Sequence, residues 1–143
     1  MIDFIKRQGS SIVINVTERN GESNVRKINQ KITGDPRPEF ESTFQEFAEV
    51  LVKLFAIDKS ILANTRVDKI QFNRNKDGEV ISFNLDAVIQ AGRNKMNFQT
   101  NAIKVELNGY SMMIVMMLDE IERYMNGERA QTELFECEEG RNG

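Results

Sequence analysis

The sequence predicts an α+β fold: antiparallel strands in two groups with one helix after each, in the order βββα-βββα, and the helices packed on the sheet. Three observations carry this. Apolar residues recur at every second position in two stretches, 2–33 and 67–105, and at every third or fourth position in two others, 38–55 and 111–126. Asn20-Gly21 and Asp77-Gly78 supply turn chemistry inside the strand-like stretches. With 143 residues, 40% hydrophobic and 29% charged, the chain has the length and composition of one domain with a true core, placed at 1–127 and followed by an acidic tail, 128–143.

The elements follow in order. Ile2 to Arg7 forms an opening strand stopped by Gln8-Gly9-Ser10. In the next strand Ile12, Ile14 and Val16 alternate with Val13 and Asn15, and Asn20-Gly21 turns the chain back into a strand from Asn24 to Ile32. That strand sets Ile28 and Ile32 on one face, Lys27 and Lys31 on the other. Asp35-Pro36-Arg37-Pro38 ends the sheet, because proline donates no ladder hydrogen bond and biases its predecessor toward extended backbone. The helix beginning there buries a stripe of Phe40, Phe44, Phe47, Ala48, Leu51, Leu54 and Phe55, while Glu39 and Glu41 complement the positive end of its dipole.

After a linker at about residues 57–64, a strand from Val67 to Asn73 pairs across Asp77-Gly78 with one from Val80 to Ile89, where Ile81, Phe83, Leu85, Ala87 and Ile89 alternate with polar residues. A third strand runs from Met96 to Val105, with a parity slip that predicts a bulge near Asn101. The last helix, Ser111 to Asn126, buries Ile114, Met117, Leu118, Ile121 and Met125 and closes at Gly127. Its methionines are read as core filling.

Composition excludes much chemistry. There is no histidine and a single cysteine, Cys137, which removes histidine triads, zinc sites built on histidine or on cysteine alone, and any internal disulfide. No glycine spacing matches a phosphate-binding fingerprint. The carboxylates Asp77 and Glu79, and Asp119, Glu120 and Glu122, read as a turn and a solvated helix face, so no metal and no cofactor is expected. A non-enzymatic binding protein is the expectation. The lone cysteine and a start without a charged and apolar leader point to the cytoplasm, and no stretch has membrane-spanning length.

The net charge of −3 hides a segregation. Residues 1–37 carry +3, 38–57 carry −3, 58–109 carry +2 and 110–143 carry −5, so the strands are basic and the helices and tail acidic. Arg26, Lys27, Lys31, Lys69, Arg74, Arg93 and Lys95 are candidates for a basic strand face that neutralises phosphates, with Phe72 or Phe98 available to stack on bases.

The tail holds two large apolar residues, Leu134 and Phe135, in an acidic setting, the arrangement of a docking peptide with Gln131 positioned to hydrogen-bond at a pocket's edge. Gln131-Thr132-Glu133-Leu134-Phe135 resembles the pentapeptide by which bacterial polymerases, repair proteins and some phage proteins bind the replicative sliding clamp. The resemblance implies that Gln131, Leu134 and Phe135 are the anchors; Thr132 and Glu133 depart from the aliphatic and the aspartate or serine usual at those places. The layout of the chain also resembles a group of small tailed-phage and prophage proteins, on the residues Asp35-Pro36-Arg37-Pro38-Glu39-Phe40 and Tyr124-Met125-Asn126-Gly127-Glu128-Arg129-Ala130-Gln131. That likeness implies a phage setting in a bacterial host cell and strengthens the tail motif, on which the expectation rests that the chain docks on the sliding clamp and recruits to or interferes with replication. The alternatives are a host-takeover or anti-defence protein that binds a host protein or sequesters a small ligand, and a nucleic-acid-binding module.

Overall fold

The computed structural model describes residues 1–21, 24–56 and 58–129. Its strands are β1 (Ile2–Gln8), β2 (Ser11–Asn20), β3 (Asn24–Thr33), β4 (Thr65–Arg74), β5 (Val80–Ala91), β6 (Asn94–Gln99) and the short β7 (Ile103–Lys104); its helices are α1 (Pro38–Leu54), α2 (Val105–Asn108) and α3 (Ser111–Met125). All strand pairs are antiparallel, in the order β3-β2-β1-β4-β5-β6, with β7 beside β5. Two meanders thus meet through their first strands, β1 against β4.

The mixed α+β class holds, but the order is not βββα-βββα. A 3₁₀ helix, Lys59–Asn64, stands where a linker was expected, and the strand expected to reach Val105 stops at Gln99. Thr100 is the reason. Its hydroxyl accepts the Leu85 N–H at 2.9 Å, its own N–H donates to the Leu85 carbonyl at 2.9 Å, and Asn84 Nδ2 donates to its carbonyl at 3.1 Å. A side chain takes over the ladder's bonds, so the strand ends without leaving buried backbone unpaired. The parity slip read as a bulge is this break, after which β7 and the single-turn α2 lead to α3.

One face of the sheet carries the core. Ile5, Ile14, Ile70, Phe83 and Leu85 are fully buried beneath Phe40, Phe47 and Leu51 of α1 and Met117, Ile121 and Tyr124 of α3. The predicted stripes hold except at their margins. Leu54, Phe55 and Ile81 are about half exposed: the first two lie at the end of α1, and Ile81 is skipped where the β4–β5 register shifts between Asn73↔Ser82 and Arg74↔Val80, which leaves Val80 and not Ile81 against the core. Leu118 and Met125 only flank the core, while the Tyr124 ring lies within it. Of the clustered methionines, Met117 is core, but Met112 and Met116 are exposed.

A polar clasp closes the end of this layer. Arg37, extended as its place before Pro38 requires, donates from Nε and Nη2 to the two carboxylate oxygens of Glu120 at 3.0 and 2.9 Å. This forked bond raises the Arg37 pKa further above its ordinary value. Tyr124 donates to the Gly34 carbonyl at 2.8 Å, and the Arg129 guanidinium lies 4.1 Å from the Tyr124 ring centroid. Gly34 has φ of 118°, which calls for glycine, and a Cβ there would press on the Arg129 side chain, 3.1 Å from its Nε. The domain's contacts therefore run past Gly127 to Arg129.

Candidate functional site

Among the described residues no helix packs on the other face of the sheet, and none is long and apolar enough to cross a membrane. Strand register fixes what that face presents. Reading across the strands, Lys31 (β3) pairs with Val13 (β2), Val13 with Lys6 (β1), Lys6 with Lys69 (β4), Lys69 with Asp86 (β5) and Asp86 with Gln99 (β6). Two residues along each strand lies a second row: Asn29, Asn15, Phe4, Gln71 and Asn84. Side chains alternate in direction along a strand, so both rows project from the same, uncovered face.

The first row places like charges together. Lys6 and Lys69 are directly opposed across β1 and β4, an arrangement that costs stability unless something offsets it. Lys69 partly escapes by resting its ammonium 4.5 Å from the centroid of the Phe4 ring. Among the described residues every ion pair is made by an arginine and none by a lysine; Asp86 faces Lys69 from β5, while Lys6 and Lys31 have no acid opposite them in register. Nearby acids are partly committed: Asp68 pairs with Arg66 at 2.7 Å and Asp3 accepts from the Thr17 hydroxyl. An open depression of about 450 Å³ borders the row, lined by Lys6, Asp68, Lys69, Asp86 and Gln99 among others.

The second row is carboxamide-rich. Asn15 Nδ2 donates to Asn29 Oδ1 at 2.6 Å, while Asn73 Nδ2 donates to Asn84 Oδ1 at 2.7 Å. Asn84 is thereby held at both ends of its amide, by Asn73 and by the Thr100 carbonyl. Gln71 is exposed beside Phe4 and makes only a long bond, 3.4 Å, to Asn73.

Comparison with protein-family models, curated proteins and solved structures finds no match. The site therefore stands on its own geometry.

Of the seven basic residues singled out in the sequence, Lys27, Lys31, Lys69 and Lys95 share the open face, with Lys27 and Lys95 toward opposite corners. Arg26 is opposite Glu18, on the other side of the β2–β3 pair, and Arg93 lies in the β5–β6 turn. Arg74 is structural: it donates to the carbonyls of Gly78 and Ile2, each at 2.8 Å, and burial pulls its pKa below the ordinary value. The two aromatics expected to stack are elsewhere, Phe72 in the core and Phe98 edge-on against Phe55 at 5.9 Å.

Sequence reasoning missed Lys6 and Phe4. Their alternation with Ile5 was the available signal, but only the β1–β4 pairing puts them at the centre of the sheet. Gln131, Leu134 and Phe135, with Cys137, lie outside the described residues. Asp77 and Glu79 sit in the expected turn, organised by Asn75 Oδ1; of the helix face read as solvated, Asp119 and Glu122 are exposed, but Glu120 is buried because Arg37 bonds both of its carboxylate oxygens.

Proposed function

We propose that this chain is a non-enzymatic binding protein that takes nucleic acid on the open face of its sheet. The observation that carries the reading is the row Lys31–Lys6–Lys69, in which no lysine makes an ion pair, set beside Phe4 on a face that no helix covers among the described residues. A solvated polar face is ordinary for an antiparallel sheet. Lysines facing each other at its centre are not, because an isolated fold gains nothing from them and an anionic ligand removes their repulsion. The overall acidity of the chain does not oppose this, since the carboxylates of α1 and α3 lie across the molecule and orient the basic face toward a polyanion.

The test is fluorescence anisotropy with labelled DNA and RNA at low and physiological salt. Binding should weaken steeply with salt, and Lys6→Glu with Lys69→Glu should abolish it while leaving the melting temperature within a few degrees. Retained affinity in that double variant overturns the reading.

A second reading, docking on a bacterial sliding clamp, rests on Gln131-Thr132-Glu133-Leu134-Phe135 and on where the motif begins. Arg129, the last described residue, is clasped against Tyr124 on the helix side of the sheet, and the motif follows it in sequence. The two readings use different surfaces and are compatible in one protein, with the sheet on a strand and the peptide on the ring that encircles DNA.

A further inference from the structure

Resting on the nucleic-acid reading above, the geometry points to single-stranded nucleic acid as the ligand, lying across the β-strands with its phosphates on Lys31, Lys6 and Lys69 and its bases over Phe4 and the carboxamide row. The two rows are one side-chain repeat apart, about 6–7 Å. That offset separates a cationic line from a line of one aromatic ring and several amides. A strand whose phosphates follow the first line can turn its bases onto the second.

The chemistry of the second row fits unpaired bases. An amide offers a donor and an acceptor together, so Gln71 and the outer edges of Asn15 and Asn29 can meet the exposed edge of a base without selecting one. Asn84, bonded on both sides, fixes the row's end. Phe4 supplies a stacking face beneath the Lys69 ammonium. A base arriving on the ring displaces that ammonium toward the neighbouring phosphate, so one movement exchanges a cation–π contact for a stack and an ion pair.

A duplex fits poorly for the same reasons. Its bases are stacked and paired away from a flat surface, and among the described residues no helix stands on this face to enter a groove. The row also has a direction. Lysines run from β3 to β4, about 14 Å over three inter-strand steps, and Asp86 on β5 ends the line by repelling the next phosphate.

The experiment uses the full chain with labelled oligonucleotides of about 10 nucleotides, oligo-dT and the matching dA·dT duplex. Single-stranded affinity should exceed duplex affinity by at least tenfold. Phe4→Leu should weaken oligo-dT binding about tenfold with little effect on the duplex, and Phe4→Trp should restore it. Equal affinity for both forms, or oligo-dT binding by Phe4→Leu within twofold of the unaltered chain, overturns the inference while leaving nucleic-acid binding standing. Absence of binding to either form at low salt overturns both. A thermal melt of each variant shows whether its fold is intact, so that weaker binding is traced to the altered surface.

Discussion

Lys6 and Lys69 face each other across the pair formed by β1 and β4, the one seam that joins the two meanders of this protein. Opposed like charges on a strand pair cost about 0.2–1 kcal/mol relative to a neutral pair. Replacing Lys6 with threonine, a good strand former, removes the repulsion. Lys6→Thr should therefore raise the urea midpoint slightly while weakening nucleic-acid binding several-fold and making it less salt-dependent. For a single strand the logarithmic salt slope should fall by about 0.7 for each phosphate that the variant no longer neutralises. Unchanged affinity in a stabilised variant would mean that the lysine pair serves solubility alone.

The clasp between Arg37 and Glu120 ties the start of α1 to the far half of α3, two elements distant in sequence. Glu120 is buried, so removing its partner strands a carboxylate out of water, and removing Glu120 leaves Arg37 with the weaker, exposed contacts to Glu39 and Glu128. Arg37→Met and Glu120→Leu should each lower the midpoint of chemical unfolding. The double variant should be less destabilised than the sum of the two, because no unpaired charge is left behind. Strict additivity in that cycle would show that the two side chains act independently.

Tyr124 gives a pH signature. Burial raises its phenol pKa above the ordinary value of about 10, since the phenolate is penalised in the core and the protonated hydroxyl donates to Gly34. A pKa raised in the folded state means that the contribution to stability is complete below the unfolded value and is lost as pH rises through the folded one. The unaltered protein should thus lose stability above about pH 10 more steeply than Tyr124→Phe. Unfolding midpoints of the two proteins at pH 8 and at high pH measure this, and parallel curves would refute it.

The sequence's alternation and helical periodicity placed α1, α3 and the strands β1 to β5 to within a few residues, because each is half-buried and its pattern records which side is in. The failures have physical causes. Thr100 ends β6 with a hydroxyl in place of a backbone carbonyl, an exchange that hydrophobic pattern does not register. Leu54 and Phe55 follow the apolar period but lie at the end of α1, and Ile81 follows it but is skipped at the register shift in the β4–β5 pair. For the site, local charge showed that strands were basic, and alternation put Lys27 and Lys31 on one face. That Lys31, Lys6 and Lys69 form one line depends on register between β1 and β4, strands more than sixty residues apart. Arg74 illustrates the converse: a strand arginine that looks available is spent on two backbone carbonyls.

The last prediction separates the two binding surfaces. Peptides that insert a leucine and an aromatic ring into a preformed pocket bind on the order of micromolar, since ordering the segment offsets much of the burial. The intact chain should bind a purified bacterial sliding clamp in that range, measured by biolayer interferometry, and Leu134→Ala with Phe135→Ala should weaken it at least tenfold while leaving the circular dichroism spectrum unchanged. The same variant should bind oligo-dT as the unaltered chain does. Conversely, Lys6→Glu with Lys69→Glu should keep its clamp affinity, because neither lysine belongs to the motif and both lie on the sheet face opposite the helix that Arg129 packs against. Clamp binding that survives the loss of both apolar anchors would remove the docking reading, whereas clamp binding abolished by reversal of the lysine charges would place both partners on a single surface.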